Sequence, residues 1–364
     1  MRVYWFFAVA LALVVAARPA QAETFRVPGD SDTIQGAIDL ADGDDVIVIK
    51  KGTYKESVRI ENLNGITLCA KGKVVIDNGS DDTGIVIVNS NNVTIKRFTI
   101  RNTEDGIEVD DSNDVTISKC SFMNNDGEGV DAVSCERLRI EKCKFDFTDG
   151  SNGITLSDVN DSTIEKCKFA RIGETTIEIL NGSDNRVLRN KSKGSEDGIS
   201  LRGGSRNLFE GNQVVAAEGD AFQSSGLGSE NVWRKNKAQR VSGDGIVERG
   251  DGNRWEGNTL IRMGSNGLRA SGDNNTFRGN KLTQSLDNGV ECRGTGNAFE
   301  NNKVDRSRVD GFEMREGGNT LTGNKIKRSV AFDINDGSRD LPTPNVYIGN
   351  KFKTSTPAGI QPGK

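Results

Sequence analysis

The chain contains no histidine. Imidazole bases, Ser-His-Asp triads and imidazole-ligated metals are therefore excluded, and any chemistry must come from carboxylates, Lys, Arg, Tyr, Cys or a hard cation. Two families of such residues recur at a spacing of 21 to 24 residues or its multiples. Asp197, Asp220 and Asp244 form an uninterrupted Asp series before Gly or Ala. Asp before Gly is what a tight turn prefers. Stacked about 5 Å apart, the same three carboxylates could instead hold a calcium ion, which takes oxygen ligands and would relieve their mutual repulsion. A little further along each repeat stand Arg202, Arg249, Arg293 and Arg315, with Arg269 one register away among Glu178, Glu291 and Glu313. These read either as solvated cross-strand ion pairs or as a groove whose Arg forks grip uronate carboxylates.

The second reading suits β-elimination on an acidic polysaccharide. A cation or Arg would neutralise the uronate carboxylate and acidify the neighbouring C–H, and a basic side chain would remove that proton. Arg249, Asp244 and Glu248 are the catalytic candidates, and Arg202, Gln223, Arg269, Glu291 and Arg293 the substrate-binding ones. Glu248 breaks an inward apolar column: Val109, Ala132, Leu156, Ile179 and Leu201 give way to Ser224 and Glu248 before Ala270, Cys292 and Met314. A buried carboxylate is costly unless paired. A β-bulge that turns Glu248 outward is the simpler expectation, and a deliberate polar site the other. The coil before it, at Gln223-Ser224-Ser225-Gly226, is longer by two residues.

The elements that would position these groups are legible from the repeat. Asn91 to Ser338 divides into eleven segments of 21 to 24 residues on one template, for example GNRWEGNTLIRMGSNGLRASGD from Gly252. Apolar residues alternate within short runs punctuated by Gly, Asn and Asp, the strand period rather than the helical one. Three short strands per repeat, each unit unable to bury its own apolar face, predict a stacked all-β solenoid. The Leu-x-x-Leu-x-Leu signature of a leucine-rich horseshoe is missing. Phe209, Trp233, Trp255, Phe277 and Phe299 occupy one inward position in successive coils and should stack. Cys120, Cys143, Cys167 and then Asn190 through Asn350 occupy another; inward Asn amides there would brace a corner, with the three cysteines as small fillers. Cys69, Cys135 and Cys292 have no role in this pattern.

Residues 1–22 read as a cleaved secretory signal: Arg2, an apolar run of about 15 residues that is too short to span a bilayer, and the small-x-small site Ala20-Gln21-Ala22. Export to the periplasm or outside the cell is expected, without a transmembrane anchor. The mature chain would carry 46 basic and 52 acidic residues, which argues against nucleic acid as a partner. Ser31-Asp32 before an amphipathic run to Ala41 predicts a short N-terminal helix capping the first coil. The solenoid is expected over 23–338 (cap and entry strands 23–65, coils 66–338), and an irregular, proline-bearing tail over 339–364.

The run TIQGAIDLADGDDVIVIKKGTYKESVRI, from Thr33 to Ile60, resembles the entry segment of the pectin lyase-like superfamily, and the repeats after it resemble that superfamily's coils. The resemblance implies a single-stranded right-handed parallel β-helix with the Asn ladder between the second and third strands and substrate along the outside of the first. That strand is opened by pairs such as Asp197-Gly198 and Asp244-Gly245. Superfamily lyases that use Arg or Lys with calcium need no histidine, whereas its polygalacturonase-type hydrolases and alginate epimerases carry histidine motifs absent here. Scarce exposed aromatics and short, uniform loops favour the alternative of a non-catalytic envelope or surface protein that binds glycans or proteins. Convergence of Arg249, Asp244 and Glu248 in a concave patch would support the enzyme, and a flat, ion-paired face the binder.

Overall fold

The computed structural model describes residues 22–364 except 80–81, 149, 339–340, 358–359 and 361–364, and except the side chains of 147 and 148. The expected signal lies almost wholly outside them. No helix among the described residues is long and apolar enough to cross a membrane. The chain is a right-handed parallel β-helix. Each short strand pairs not with its neighbour in sequence but with its counterpart one repeat later. Trp233, Trp255, Phe277 and Phe299 are therefore consecutive partners in register. The first strands of the coils form a parallel sheet of 14 strands, from Val58–Glu61 to Ser355–Thr356. Second and third strands join in one sheet of 25, because Val46–Tyr54, Thr67–Ile76 and Thr94–Arg101 run through the corner that later coils break sharply.

The corners explain the polar residues inside. Asn280 Oδ1 accepts the backbone N–H of Asn258 at 2.9 Å, and its amide donates to the carbonyl of Trp255 at 2.8 Å. Repeated from Asn190 to Asn350, this ladder pairs backbone groups that would otherwise be buried without partners. A second ladder, not anticipated from sequence, braces the corner after the first strand. Asn297 Oδ1 accepts from Asn275 N–H at 2.8 Å and Asn297 Nδ2 donates to Gly272 O at 3.0 Å. Its signal was present, since Asn recurs five residues before each ladder Asn in every coil from Asn185 to Asn345.

All six cysteines are free, and the ladders account for four of them. The thiol of Cys143 points at the carbonyl of Ile117 (3.7 Å), as the amide of Asn190 does at Ile164. Cys120 and Cys167 do the same, and Cys135 directs its thiol at Val109 O, 3.3 Å away, in the second corner column. A thiol is a weak donor, but here it takes the place of the stronger amide. The expected aromatic stack is present, with Trp233 and Trp255 centroids 4.6 Å apart and Phe277 and Phe299 4.9 Å apart. A second stack, Phe122, Phe145 and Phe169, fills the third-strand interior of earlier coils.

Both ends differ in detail from expectation. The capping helix is Ile34–Ile38, and Thr33, not Ser31 or Asp32, is its N-cap, accepting from Gly36 N–H. Ile34, Ala37 and Ile38 close the first coil. At the far end the expected irregular tail adds further coil: Val346–Ile348 pairs with Thr320–Thr322, Ser355–Thr356 pairs with the first-strand sheet, and Asn345 and Asn350 extend both ladders. Replacing Asn280 by Ala leaves the Asn258 N–H buried and unpaired and removes the amide's hydrogen bond to the Trp255 carbonyl. Chemical denaturation should show a loss of about 2–4 kcal/mol with an unchanged m-value.

Candidate functional site

The first-strand face begins at a corner where side chains form a third ladder. Asp197 Oδ1 accepts Asp220 N–H at 2.6 Å, Asp220 accepts Asp244 N–H at 2.7 Å, and Asp244 accepts Asn266 N–H at 2.8 Å. The second oxygens of the outer two are also engaged: Gln223 Nε2 donates to Asp197 at 2.9 Å, and Arg269 Nη2 meets Asp244 at 2.7 Å. Burial, with Asp244 and Asp197 nearby, raises the Asp220 carboxyl above its ordinary value. The expected metal trio is thus stacked as the sequence suggested, with its oxygens serving the turn. Among the described residues, no group of three or more His, Cys, Asp or Glu side chains is arranged to hold a metal ion.

The catalytic candidates do not converge. Ser224, Glu248 and Ala270 are consecutive partners in an unbroken register, so the expected bulge is absent and Glu248 points into the core, fully buried. Its carboxyl accepts the indole N–H of Trp255 at 2.6 Å and the backbone N–H of Gly250 at 2.7 Å. Burial pushes it up to about 8. The physical reason lies across the coil. Tryptophan replaces phenylalanine in the aromatic column only at Trp233 and Trp255, and a buried indole needs an acceptor. Ser224 and Glu248 break the apolar column in those same two coils, but only the Trp255 indole is matched; Trp233 Nε1 is buried without a hydrogen-bond partner among the described residues. Arg249 is exposed on the opposite side of the strand, with no side-chain partner among the described residues.

The remaining arginines are locked in pairs: Arg202 with Glu178 at 2.9 Å, and Arg293 and Arg315 with the buried Glu291 at 2.7 and 3.0 Å. Arg269 stands directly beside Glu291 in register while its guanidinium meets Asp244. The two extra residues of the longer coil loop outward, where Gly226 and Gly228 have φ of 82° and 140° and Leu227 is 93% exposed between them.

Sequence reasoning passed over a carboxylate cluster three and four coils nearer the N-terminus than Asp197. Glu108 and Asp131 are adjacent in register on the outer face, with Asp110 beside them and Asp105 and Glu128 at the corner. Burial, then Asp110 and other neighbouring carboxylates, raises Glu108 to about 7. Glu128 is raised to about 7 and Asp131 to about 6, again by burial and then by Asp105. The available signal was the density of acids in EDGIEVDD and DGEGVDA, where Asp105-Gly106 and Glu128-Gly129 read only as turns.

A family model described as "Periplasmic copper-binding protein (NosD)" matches residues 39–245, more than half of the chain. The chain belongs to the NosD family. A second model, "Right handed beta helix region", matches 244–361, and no curated protein matches the sequence. Among solved structures, the catalytic domain of a GH87 α-1,3-glucanase in complex with tetrasaccharides is similar at 14% identity and a TM-score of 0.72, over 85% of this chain and 70% of that one. The A-module of mannuronan C-5 epimerase AlgE4 from Azotobacter vinelandii gives 16% identity and a TM-score of 0.61, over 75% and 90%. The receptor-binding protein of bacteriophage Det7, a tailspike, gives 10% identity and 0.61, over 84% and 73%. At such identities these likenesses establish the fold alone.

Copper, named in the NosD description, is bound by imidazole and by thiolate or thioether sulfur. This chain has no histidine. Burial holds the Cys120 and Cys135 thiols above their ordinary values, and hydrogen bonding with Cys167 together with burial does the same for Cys143; all three engage carbonyls. The described residues do not fit a copper site.

The Glu248 assignment has a pH signature. A carboxyl raised in the folded state stabilises the fold fully below its unfolded value and loses that contribution as pH rises through its folded value. From about pH 4.5 to about 8, the native chain should lose stability relative to Glu248→Gln, by a few kcal/mol at the upper end. Parallel denaturation midpoints for the two proteins across this range would show instead that Glu248 is solvated.

Proposed function

We propose that this NosD-family chain is an exported β-helix of the cell envelope that binds an acidic polysaccharide without cleaving it. The observation that carries the reading is the failure of Arg249, Asp244 and Glu248 to share a surface. Glu248 serves the indole of Trp255 in the core, Asp244 braces a corner and pairs with Arg269, and Arg249 stands alone outside. The face around them is ion-paired, which suits recognition rather than proton abstraction. The family's description as periplasmic supports export. The names of two fold neighbours, a glucanase and a mannuronan C-5 epimerase, support a carbohydrate ligand. A calcium ion shared by Asp197, Asp220 and Asp244 would compete with Gln223 and Arg269 for their oxygens, so binding should not depend on calcium.

A second reading, hydrolysis of a glycan, is favoured by one observation. Glu108 and Glu128 are raised to about 7 beside other carboxylates on the same face, the condition under which one carboxyl can donate a proton while a neighbour stays ionised.

The mature protein, incubated with pectate, alginate, heparinoid and hyaluronan with and without calcium, should generate no ultraviolet absorbance from unsaturated uronates. It should nevertheless be retarded by at least one of these polymers in affinity electrophoresis, equally in EDTA. A calcium-dependent rise in absorbance lost in Arg249→Ala would establish elimination and overturn the proposal. Release of reducing ends lost in Glu128→Gln would establish the hydrolase.

A further inference from the structure

We infer that the polysaccharide lies not on the first-strand face but along the third, on a ladder of lysines and arginines running parallel to the helix axis. The inference takes its ligand class from the reading above and assigns it a site. Along the first outward column of the third strand, eight of the ten successive positions from Lys144 to Lys351 are lysine. Lys281, Lys303, Lys325 and Lys351 are consecutive and exposed, and none has an ion-pair partner among the described residues. At the far end of the same strands stand Arg240, Arg262, Arg306 and Arg328, also exposed. Asp305 is the carboxylate that pairs with the last two.

The other two faces are balanced differently. Several second-strand cations meet carboxylates, as Arg234 and Lys235 meet Glu210 and as Arg278 meets Glu300, although Arg186 and Arg254 have no ion-pair partner among the described residues. The first-strand face concentrates the carboxylate cluster. On the third-strand face Asp146 and Asp305 take Arg171, Arg306 and Arg328, and the lysines Lys281, Lys303, Lys325 and Lys351 are left without ion-pair partners among the described residues. Like charges one strand spacing apart, about 4.8 Å, oppose the pairing that brings them together, and a polyanion laid along them would relieve that repulsion.

The surface is also shaped. Depressions of about 570, 340 and 460 Å³ adjoin one another from Arg240 to Lys353, sharing Gln284, Leu286 and Arg328. A fourth, of about 260 Å³, is lined by Lys281, Lys303, Lys325 and Lys327 together with one carboxylate, Asp305, and joins them at Lys327. The coil rise of about 4.8 Å is close to the length of one pyranose unit in an extended chain; where successive residues of that chain are turned over, alternate carboxylates face the ladder and meet every second lysine. Phosphates along one strand of a DNA duplex, about 3.4 Å apart along the helix axis, fall out of step. The lysine and arginine columns also hold no aromatic side chain on which bases could stack.

Calorimetric titration with a size-defined oligomannuronate tests the assignment on four proteins: native, Lys303→Glu/Lys325→Glu, the second-strand control Arg186→Glu/Arg254→Glu with the same change in net charge, and the first-strand variant Arg202→Glu/Arg249→Glu. The lysine variant should bind at least about tenfold more weakly, the other two should match the native protein, and native affinity should fall steeply with salt. Loss confined to the first-strand variant would overturn the inference while leaving polysaccharide binding intact, as would binding to a neutral glucan alone. Equal binding to single-stranded DNA or to phosphatidylglycerol vesicles through the same lysines would overturn it in favour of a general polyanion surface. A native protein that binds no glycan would overturn both this inference and the proposed function.

Discussion

Everything in this molecule follows from the parallel pairing of each strand with its counterpart one repeat later. With strands about 4.8 Å apart, a residue type kept at one template position becomes a continuous column in space. Inside, a column of apolar side chains becomes a core and a column of Asn becomes a hydrogen-bond ladder. Outside, a column of Asp or Lys becomes a line of like charge that only a turn, a counter-ion or a ligand can compensate. The same rule thus produces both the stability and the binding surfaces.

How each column is compensated separates structural residues from functional ones. Asp197, Asp220 and Asp244 direct their oxygens to backbone N–H groups of the next coil, so their charge is absorbed by the corner. Glu291 gathers Arg293 and Arg315. Glu248, the least expected residue in the core, answers the indole of Trp255. The carboxylate cluster around Glu108 and Asp131 and the lysines Lys281, Lys303, Lys325 and Lys351 have no ion-pair partners among the described residues, and they lie on different faces.

This also explains what could be read from the sequence. The solenoid, the aromatic column, the Asn190–Asn350 ladder and the capping helix were legible because each rests on periodicity alone. The second Asn ladder was equally periodic but was masked by the Gly-rich corner in which it sits. Glu248 could not be assigned, because its partner is seven residues away across the interior of the coil and the relevant fact, a Trp in place of a Phe, belongs to another strand. The lysine column went unread for a different reason: the resemblance directed attention to the first strand, while Lys before an apolar residue in KLTQS or KVDRS looks like an ordinary solvated position. Net charge misled in the same way, because a total near neutral conceals its segregation onto separate faces.

The exposed columns, not the trio near Glu248, are where we propose that this protein meets its ligand. A crystal structure with a bound oligouronate tests it most directly. Density for the sugar chain is expected along the third-strand face, with carboxylates against lysines of the column that holds Lys281, Lys303 and Lys325 and no rearrangement of Glu248. Density along the first-strand face, with Arg249 and Arg202 turned onto the sugar, would contradict it.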